Sequence, residues 1–414
     1  MLKLKNIVAA SIMLSLFACN NDKNTALGSA EKKNDTMMQQ SWEQITKKAK
    51  GTTVTWMKYT GDKKSNKYIN DVLIPGIKEK FDISLKIIPG QSSSIVSTIM
   101  SEKEADVEKG QTDMVWINGE TFFQIQQFAG LFGPFTYKLP SSAFINYEDP
   151  IIKYDFQQEI KGYEAPWGKA SFIALTDGAK VKNPPLSMQD FEVYWKANPG
   201  KFTLSLDFTG YTLLKTWLIE IAGGSANLKG NFDKKKYDEY STKLYGFINR
   251  NKQYFWKKGE TFPESAVTIS QLYATGEVNF GFSFGFTAVD KGIKEGLFPK
   301  TTIAYVLKAG SIHNASYLAI PFNATNKEGA LVVINYLISP EAQIEKSNIN
   351  NSGGTPIFDI TKITPELKAK YEALEKPKYG MTEQQALAKA IVEPHSMYMI
   401  KVAEDFRKKV IEVK

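Results

Sequence analysis

The chain of 414 residues holds a single cysteine, Cys19, and only two histidines, His313 and His395. One thiol excludes an intramolecular disulfide. Two distant histidines and no further cysteine leave nothing from which to build an ordinary zinc cluster, and no calcium-loop pattern is present. Long basic tracts are missing as well. The formal net charge is +8, but the longest Lys run is residues 234–236, which argues against nucleic acid and for a solvated lysine-rich surface. Beyond the N-terminus, no stretch is long and apolar enough to cross a bilayer. Aromatic rings, by contrast, are plentiful: 25 Phe, 19 Tyr and 7 Trp. They suit either a large core or a ligand cleft with stacking faces.

The first residues, MLKLKNIVAASIMLSLFACNND, carry a positive start at Lys3 and Lys5, then an apolar run over residues 7–17. That run is too short to span a membrane and reads as a secretory signal. Its end, Leu16-Phe17-Ala18-Cys19, resembles a bacterial lipobox, although Phe17 departs from the usual residue there. The resemblance implies cleavage before Cys19 and lipidation of it, with several acyl chains giving a stable anchor. Residues 20–40 are polar and aperiodic and read as a flexible tether. The expected boundaries are therefore a signal over 1–18, a tether over 19–40, and a folded part from Ser41.

From Ser41 onward the pattern alternates. A capping box at Ser41-x-x-Gln44 opens a short helix. Residues 54–59 (VTWMKY), 84–88 (SLKII) and 112–117 (TDMVWI) read as strands. Between and after them, residues 65–81, 92–105 and 122–129 read as helices, the first interrupted at Pro75. This order means βαβ units and a parallel sheet covered on both faces. A second α/β block follows, with strands expected at 171–176, 202–206, 278–282 and 301–307 and helices at 187–197, 212–222, 286–295 and 329–338. Residues 365–414 read as helical with breaks at Pro377 and Pro394. Ligands of such sheets sit at the carboxyl ends of the strands.

Residues 281–285 read GFSFG and match G-x-S-x-G, the turn that presents a hydrolase serine. The remaining machinery is thin: Ser283 has only His395, with Asp359, as a sensible pairing. A glycine-flanked turn leading into a helix needs no chemistry, and Ser283 is expected in such a turn. A surface-anchored hydrolase using Ser283 or a carboxylate pair stays as the alternative, although Glu148 and Asp149 read as a solvated turn and no other pair stands out.

The pieces AKGTTVTW, DMVWINGETF, EAPWGKASF and PPLSMQDFEVYWKANPGKFT followed by DFTG, with the helix LVVINYLISPEAQ, resemble the substrate-binding lipoproteins of ABC importers. Within them the chain is most similar to the YnjB-like branch, near the thiamine- and polyamine-type binders. The resemblance implies an α/β, two-lobed, periplasmic-binding-protein-like (type II) fold with doubly wound sheets, a hinge and an interlobe cleft. The expected lobes are residues 41–165 with 302–350, and 166–301 with 351–414. Hinge strands are expected near Trp167, near residues 302–306 and near 353–356. The implied role is capture of a small molecule for a permease and its ATPase, with no enzyme activity and no cofactor. A monomer held at a membrane outside the cytoplasm is expected, with no nucleic acid partner. Carried over by position, the ligand would meet Tyr59, Thr60, Asn118, Gly119 and Glu120 on one lobe and Trp167 at the crossover. Asp207, Thr209, Gly210, Phe284, Gly285 and Tyr317 would line the opposing edge or hinge. Glu120 and Asp207 beside the rings of Trp167 and Phe284 would suit a thiamine-like or polyamine-like cation.

Overall fold

A computed structural model describes residues 36–413, so the signal, Cys19 and most of the expected tether lie outside the described residues. In chain order the strands are β1 (Thr53–Lys58), β2 (Ser84–Pro89), β3 (Met114–Ile117), β4 (Leu131–Phe132), β5 (Tyr154–Asp155) and β6 (Gln158–Glu159). They continue with β7 (Glu164–Asp177), β8 (Phe280–Phe284), β9 (Thr302–Tyr305), β10 (Ser311–Pro321) and β11 (Ala390–Val392). The helices that matter below are α1 (Lys63–Tyr68), α2 (Ser92–Glu104), α3 (Gly119–Gln126), α4 (Phe208–Ile221), α5 (Lys234–Asn251), α6 (Ala288–Lys294), α7 (Lys327–Leu337), α8 (Pro340–Ser347) and α9 (Ser396–Phe406).

The main sheet runs β2-β1-β3-β10-β7-β8. β1 is parallel to β2 and β3, with Trp56 level with Ile87 and Met114. β10 is antiparallel to β3 and to β7, and β8 and β9 are antiparallel to the far part of β7. At the ordinary rise a strand as long as β7 spans roughly 45 Å. That length lets it serve two cores. On the β1–β3 side, Met57, Val115, Ile117 and Ala319 pack under Ile99 of α2 and Phe122 of α3. On the β8 side the core is aromatic: Phe191, Trp195, Phe202, Trp217 and Phe280 meet with centroids 4.9–6.3 Å apart, several of them edge to face. The doubly wound α/β expectation therefore holds.

Several expectations change. The helix expected over 65–81 with an interruption at Pro75 runs on through the proline: the backbone widens to a π-turn over Ile69–Leu73 and resumes at Ile74–Phe81. A proline ring clashes with the carbonyl four residues back, and the wider turn relieves that clash. Residues 202–205 are buried and Leu206 half-buried, but the segment forms no strand. Their backbone bonds go to loops instead, the Trp256 amide donating to the Phe202 carbonyl and the Leu206 amide to Pro263. β9, where a hinge strand is expected, pairs with Ala174–Asp177 at the far end of β7, whereas β10 pairs with both β3 and β7. The C-terminal block is not all helix: β11 adds a strand beside Ser311–His313. β10 and α5 are additions that the sequence reading did not contain.

Candidate functional site

β1, β3 and β7 run towards the middle of the molecule, and β8 runs to meet them from the other side. The carboxyl ends of β1, β3 and β8 therefore face one another across a cleft. On the first side the Asn66 side chain donates to the Thr60 carbonyl (2.6 Å) and accepts from the Lys58 ammonium (2.8 Å), which fixes the loop after β1. Asp62 starts α1 by accepting from the Lys64 and Ser65 amides. After β3, the Asn118 carbonyl accepts from the Thr121 and Phe122 amides to open α3. Glu120 is buried and accepts from the Ser92 hydroxyl (2.8 Å), while its Oε2 has no partner among the described residues.

On the second side Asp207 caps α4. Its Oδ1 accepts from the Thr209 and Gly210 amides and the Ser205 hydroxyl, and its Oδ2 accepts from the Ala266 amide. The carboxylate is thus committed to the backbone. Gly210 is glycine for packing, since a Cβ there would lie 1.9 Å from the Ser205 carbonyl oxygen. Phe284 lies 5.2 Å from Phe208, and Gly285, with φ 99°, turns the chain out of β8 where no atom crowds it. The two sides approach closely. Asp207 helps burial push the Tyr59 hydroxyl above its ordinary pKa, and Lys64 pairs with Glu295 at 3.5 Å.

A row of rings crosses between the sides. The β5–β6 hairpin turns through Phe156 and Gln157, both with positive φ (46° and 67°), where glycine or asparagine is the usual occupant. The turn aims Phe156 at Gly119, where any Cβ would overlap the ring at 2.0 Å. Phe156 also lies 6.1 Å from Phe208, which continues the row to Phe284. Trp167 is buried edge-on against Trp56 (5.9 Å) and Trp116 (6.5 Å). Tyr317 is also buried, donating its hydroxyl to the Ile151 and Ile152 carbonyls. Of the residues expected from sequence, Tyr59, Thr60, Asn118, Gly119 and Glu120 stand where the chain leaves β1 and β3, and Asp207, Thr209, Phe284 and Gly285 stand at the start of α4 and the end of β8. Trp167, Gly210 and Tyr317 are buried.

The electrostatics beside the cleft were not anticipated. Lys215 on α4 is fully buried (0% exposed), pairs with Glu393, and sits 4.5 Å from the Phe156 ring. Asp155 and Glu164, 1% and 0% exposed, have no hydrogen-bond partner on any carboxylate oxygen among the described residues. Burial, then the charge of Glu120, drives Asp155 well above the carboxylate range; burial, then Asp155, does the same to Glu164. Burial raises Glu120 too, against the pull of Ser92 and Lys215. A lysine inside the apolar run LLKTWLI was the legible sign of such a buried charge. Lys58, Trp116, Phe156 and Glu393 carried no comparable sign.

Ser283 is inside β8, paired with Ile173, rather than in the turn expected for it. Its hydroxyl contacts the Phe284 carbonyl at 3.4 Å. His313 Nδ1 bonds Ser171 (2.9 Å), and burial lowers its pKa to about 4. His395 Nδ1 accepts from the Met397 amide at the start of α9. Asp359 is spent on Thr361. Among the described residues no group of three His, Cys, Asp or Glu side chains could hold a metal ion, and no helix is long and apolar enough to cross a membrane. A separate cavity of about 460 Å³ lies by Asn146, Lys169, Phe358 and Tyr371, and none of the expected site residues lines it.

Comparison with known proteins gives a consistent result. Residues 74–373 match the family described as bacterial extracellular solute-binding protein. Protein YnjB of Escherichia coli (strain K12) is 28% identical over 326 residues, covering 78% of this chain and 84% of that protein. The periplasmic binding protein AfuA from Actinobacillus pleuropneumoniae, solved with exogenous fructose-6-phosphate bound, superposes with a TM-score of 0.62 at 13% identity, over 87% of this chain and 99% of that one. The GacH receptor of Streptomyces glaucescens, solved unliganded and with acarbose, superposes with a TM-score of 0.60 at 13% identity, over 88% and 99%. The fold is that of the type II periplasmic binding proteins.

Proposed function

The chain belongs to the bacterial extracellular solute-binding proteins, and from that premise we propose that it captures a small molecule between two lobes and hands it to the permease of an ABC importer. The family consists of binding proteins, not enzymes. The observation that carries the reading is the approach of the two halves: Tyr59 feels the charge of Asp207, Phe156 lies against both Gly119 and Phe208, and Lys64 pairs with Glu295. We take residues 41–165 with 311–350 as one lobe and 166–305 with 351–414 as the other, β9 going with the strand it pairs with. The long strands β7 and β10 form the hinge. A ligand that touches both lobes favours the closed arrangement by its differential affinity.

The ligand we propose carries a cationic group. Glu120 offers an unpartnered buried oxygen near the row of phenylalanines, and a cation there would restore the ionised carboxylate that burial disfavours. Asp207 serves as the cap that holds α4 and the Thr209–Gly210 backbone at the cleft edge. Anchoring through a lipidated Cys19, with the folded part acting as a monomer outside the cytoplasm, completes the reading.

A native mass spectrum of residues 20–414, purified gently from cells, tests it. A discrete extra mass lost on denaturation is the expected result. A bare mass, followed by no rise in melting midpoint with polyamines, vitamins, amino acids or sugars, would count against capture.

A further inference from the structure

The buried polar groups beside the cleft divide by sign. On one face of the β1–β3 sheet, acceptors lack donors: Glu120 Oε2 and all four carboxylate oxygens of Asp155 and Glu164 are without hydrogen-bond partners among the described residues. On the other face, donors lack acceptors. Lys58, the last residue of β1, is 0% exposed, and its ammonium bonds only Asn66 among the described residues. It lies 6.0 Å and 5.9 Å from the rings of Trp56 and Trp116. The Nε1–H of Trp56 is buried with no acceptor. Lys346 on α8 is 3% exposed, donates to the Trp167 carbonyl, and sits 4.3 Å from the Trp167 ring. Among the described residues no carboxylate lies within ion-pair distance of either lysine. The charges they feel are the exposed Asp62 for Lys58 and the like-signed Lys169 for Lys346.

A buried ammonium without a counter-charge is costly, and indole faces offset only part of that cost. Proteins avoid that cost by pairing the charge, by giving up the proton, or by taking a partner from outside. The geometry here allows an outside partner. Lys58 immediately precedes Tyr59 and Thr60 at the cleft edge, Trp116 is half-buried two residues before Asn118, and Lys346 Nζ lies 3.1 Å from where a Cβ on the half-buried Gly168 would stand.

We propose that Lys58 and Lys346, with the Trp56–Trp116–Trp167 cluster, form an anion-accepting pole of the cleft, so that the captured solute is bipolar, with an acidic group on this side and an amine towards Glu120. This rests on the solute-capture reading and extends it from a cation to a zwitterion.

The test is calorimetric titration of residues 20–414 with three linear probes of equal length: cadaverine with two amines, δ-aminovalerate with one amine and one acid, and glutarate with two acids. δ-Aminovalerate is expected to bind at least about tenfold more tightly than cadaverine. Lys58→Met or Lys346→Met should bring the two level, while Glu120→Gln should weaken cadaverine and δ-aminovalerate but spare glutarate. Two lysine variants are used so that one that fails to fold does not decide the matter. Equal or tighter binding of cadaverine in the unaltered protein overturns the anionic pole, as does a preference that survives both lysine changes. Absence of heat with all three probes overturns it too. The native mass spectrum separates this failure from failure of capture itself: a retained ligand with an amine and no acidic group leaves capture standing and removes only the anionic pole.

Discussion

The two faces of the β1–β3 sheet bury charge in opposite ways. On the carboxyl face, Glu120, Asp155 and Glu393 share one ammonium, Lys215, while Glu164 feels the neighbouring Asp155. On the indole face, Lys58 and Lys346 share no carboxylate among the described residues and lean on tryptophan rings and single acceptors. The difference shows how a buried charge is tolerated. The first face depends on one internal counter-ion, so that ion is structural. The second holds its charges at a free-energy cost, so removing one should relieve the ligand-free protein.

Lys215→Met should produce the largest change. It strips the cation that Glu120, Asp155 and Glu393 share and leaves Glu393 without its partner among the described residues. Breaking a buried pair by deleting one member costs about 3–5 kcal/mol, and the urea midpoint should fall accordingly. If the midpoint stays where it was, the carboxyl face does not depend on its counter-ion and the contrast between the faces disappears.

Lys346→Met should move the other way. The methionine keeps most of the volume and removes an ammonium that has only the Trp167 carbonyl as acceptor among the described residues. The ligand-free protein should gain about 1–3 kcal/mol, the range seen for uncompensated buried polar groups. A loss of stability would mean that the bond to Trp167 outweighs the desolvation of the charge.

The pH dependence sharpens the contrast. Burial, with no attractive charge to oppose it, lowers Lys346 to about 7 from an ordinary 10.5, and burial lowers Lys58 to about 8 against the pull of Asp62. Between those values and the unfolded one, the unfolded chain binds more protons, so stability contributed by the lysine face rises with pH there. The carboxyls shift upward in the fold. Their contribution is complete below the unfolded carboxylate range and is lost as pH rises through their folded values. The melting midpoint of Lys346→Met minus that of the unaltered protein should therefore be most positive near pH 6 and shrink towards pH 10. A difference that does not vary with pH would mean that the ammonium is well solvated in the fold and its pKa is not lowered.

Much of the architecture was legible in sequence because it is written locally. VTWMKY and SLKII alternate or run apolar between turn residues, and Ser187 and Asp190 announce the capping box of the following helix. β10 was illegible for a physical reason. Nearly all of its residues are buried, on both faces, so SIHNASYLAIP shows no alternation, and its polar side chains are paid for by partners far away, Ser171 for His313 and Glu393 for Asn314. Asn118-Gly119-Glu120 was legible because a strand end declares itself, and Asp207 because an aspartate before an apolar helix reads as its cap. Lys58 and Lys346 were not, because a lysine in sequence looks solvated until packing shows that it is not. Trp167 and Tyr317, expected to touch ligand, are both buried, Trp167 against Trp56 and Trp116 and Tyr317 on the Ile151 and Ile152 carbonyls.

The smallest effect belongs to the bridge over the cleft. Lys64 and Glu295 are 3.5 Å apart, with side chains 18% and 43% exposed. An exposed pair contributes about 0–1 kcal/mol and is screened by salt, so Lys64→Ala should leave the urea midpoint almost unchanged. Its effect should appear in the balance between open and closed forms instead. If the two halves move as lobes, removing a contact made only when they are closed biases the ligand-free protein towards the open form, and scattering at low salt should report a larger radius of gyration. High salt should enlarge the radius of the unaltered protein in the same direction and erase the difference between the two. If the radius is the same at every salt concentration, the halves are held together by the Phe156–Phe208–Phe284 row and the α9 helix rather than by charge, and the hinge must be sought in the packing of those rings.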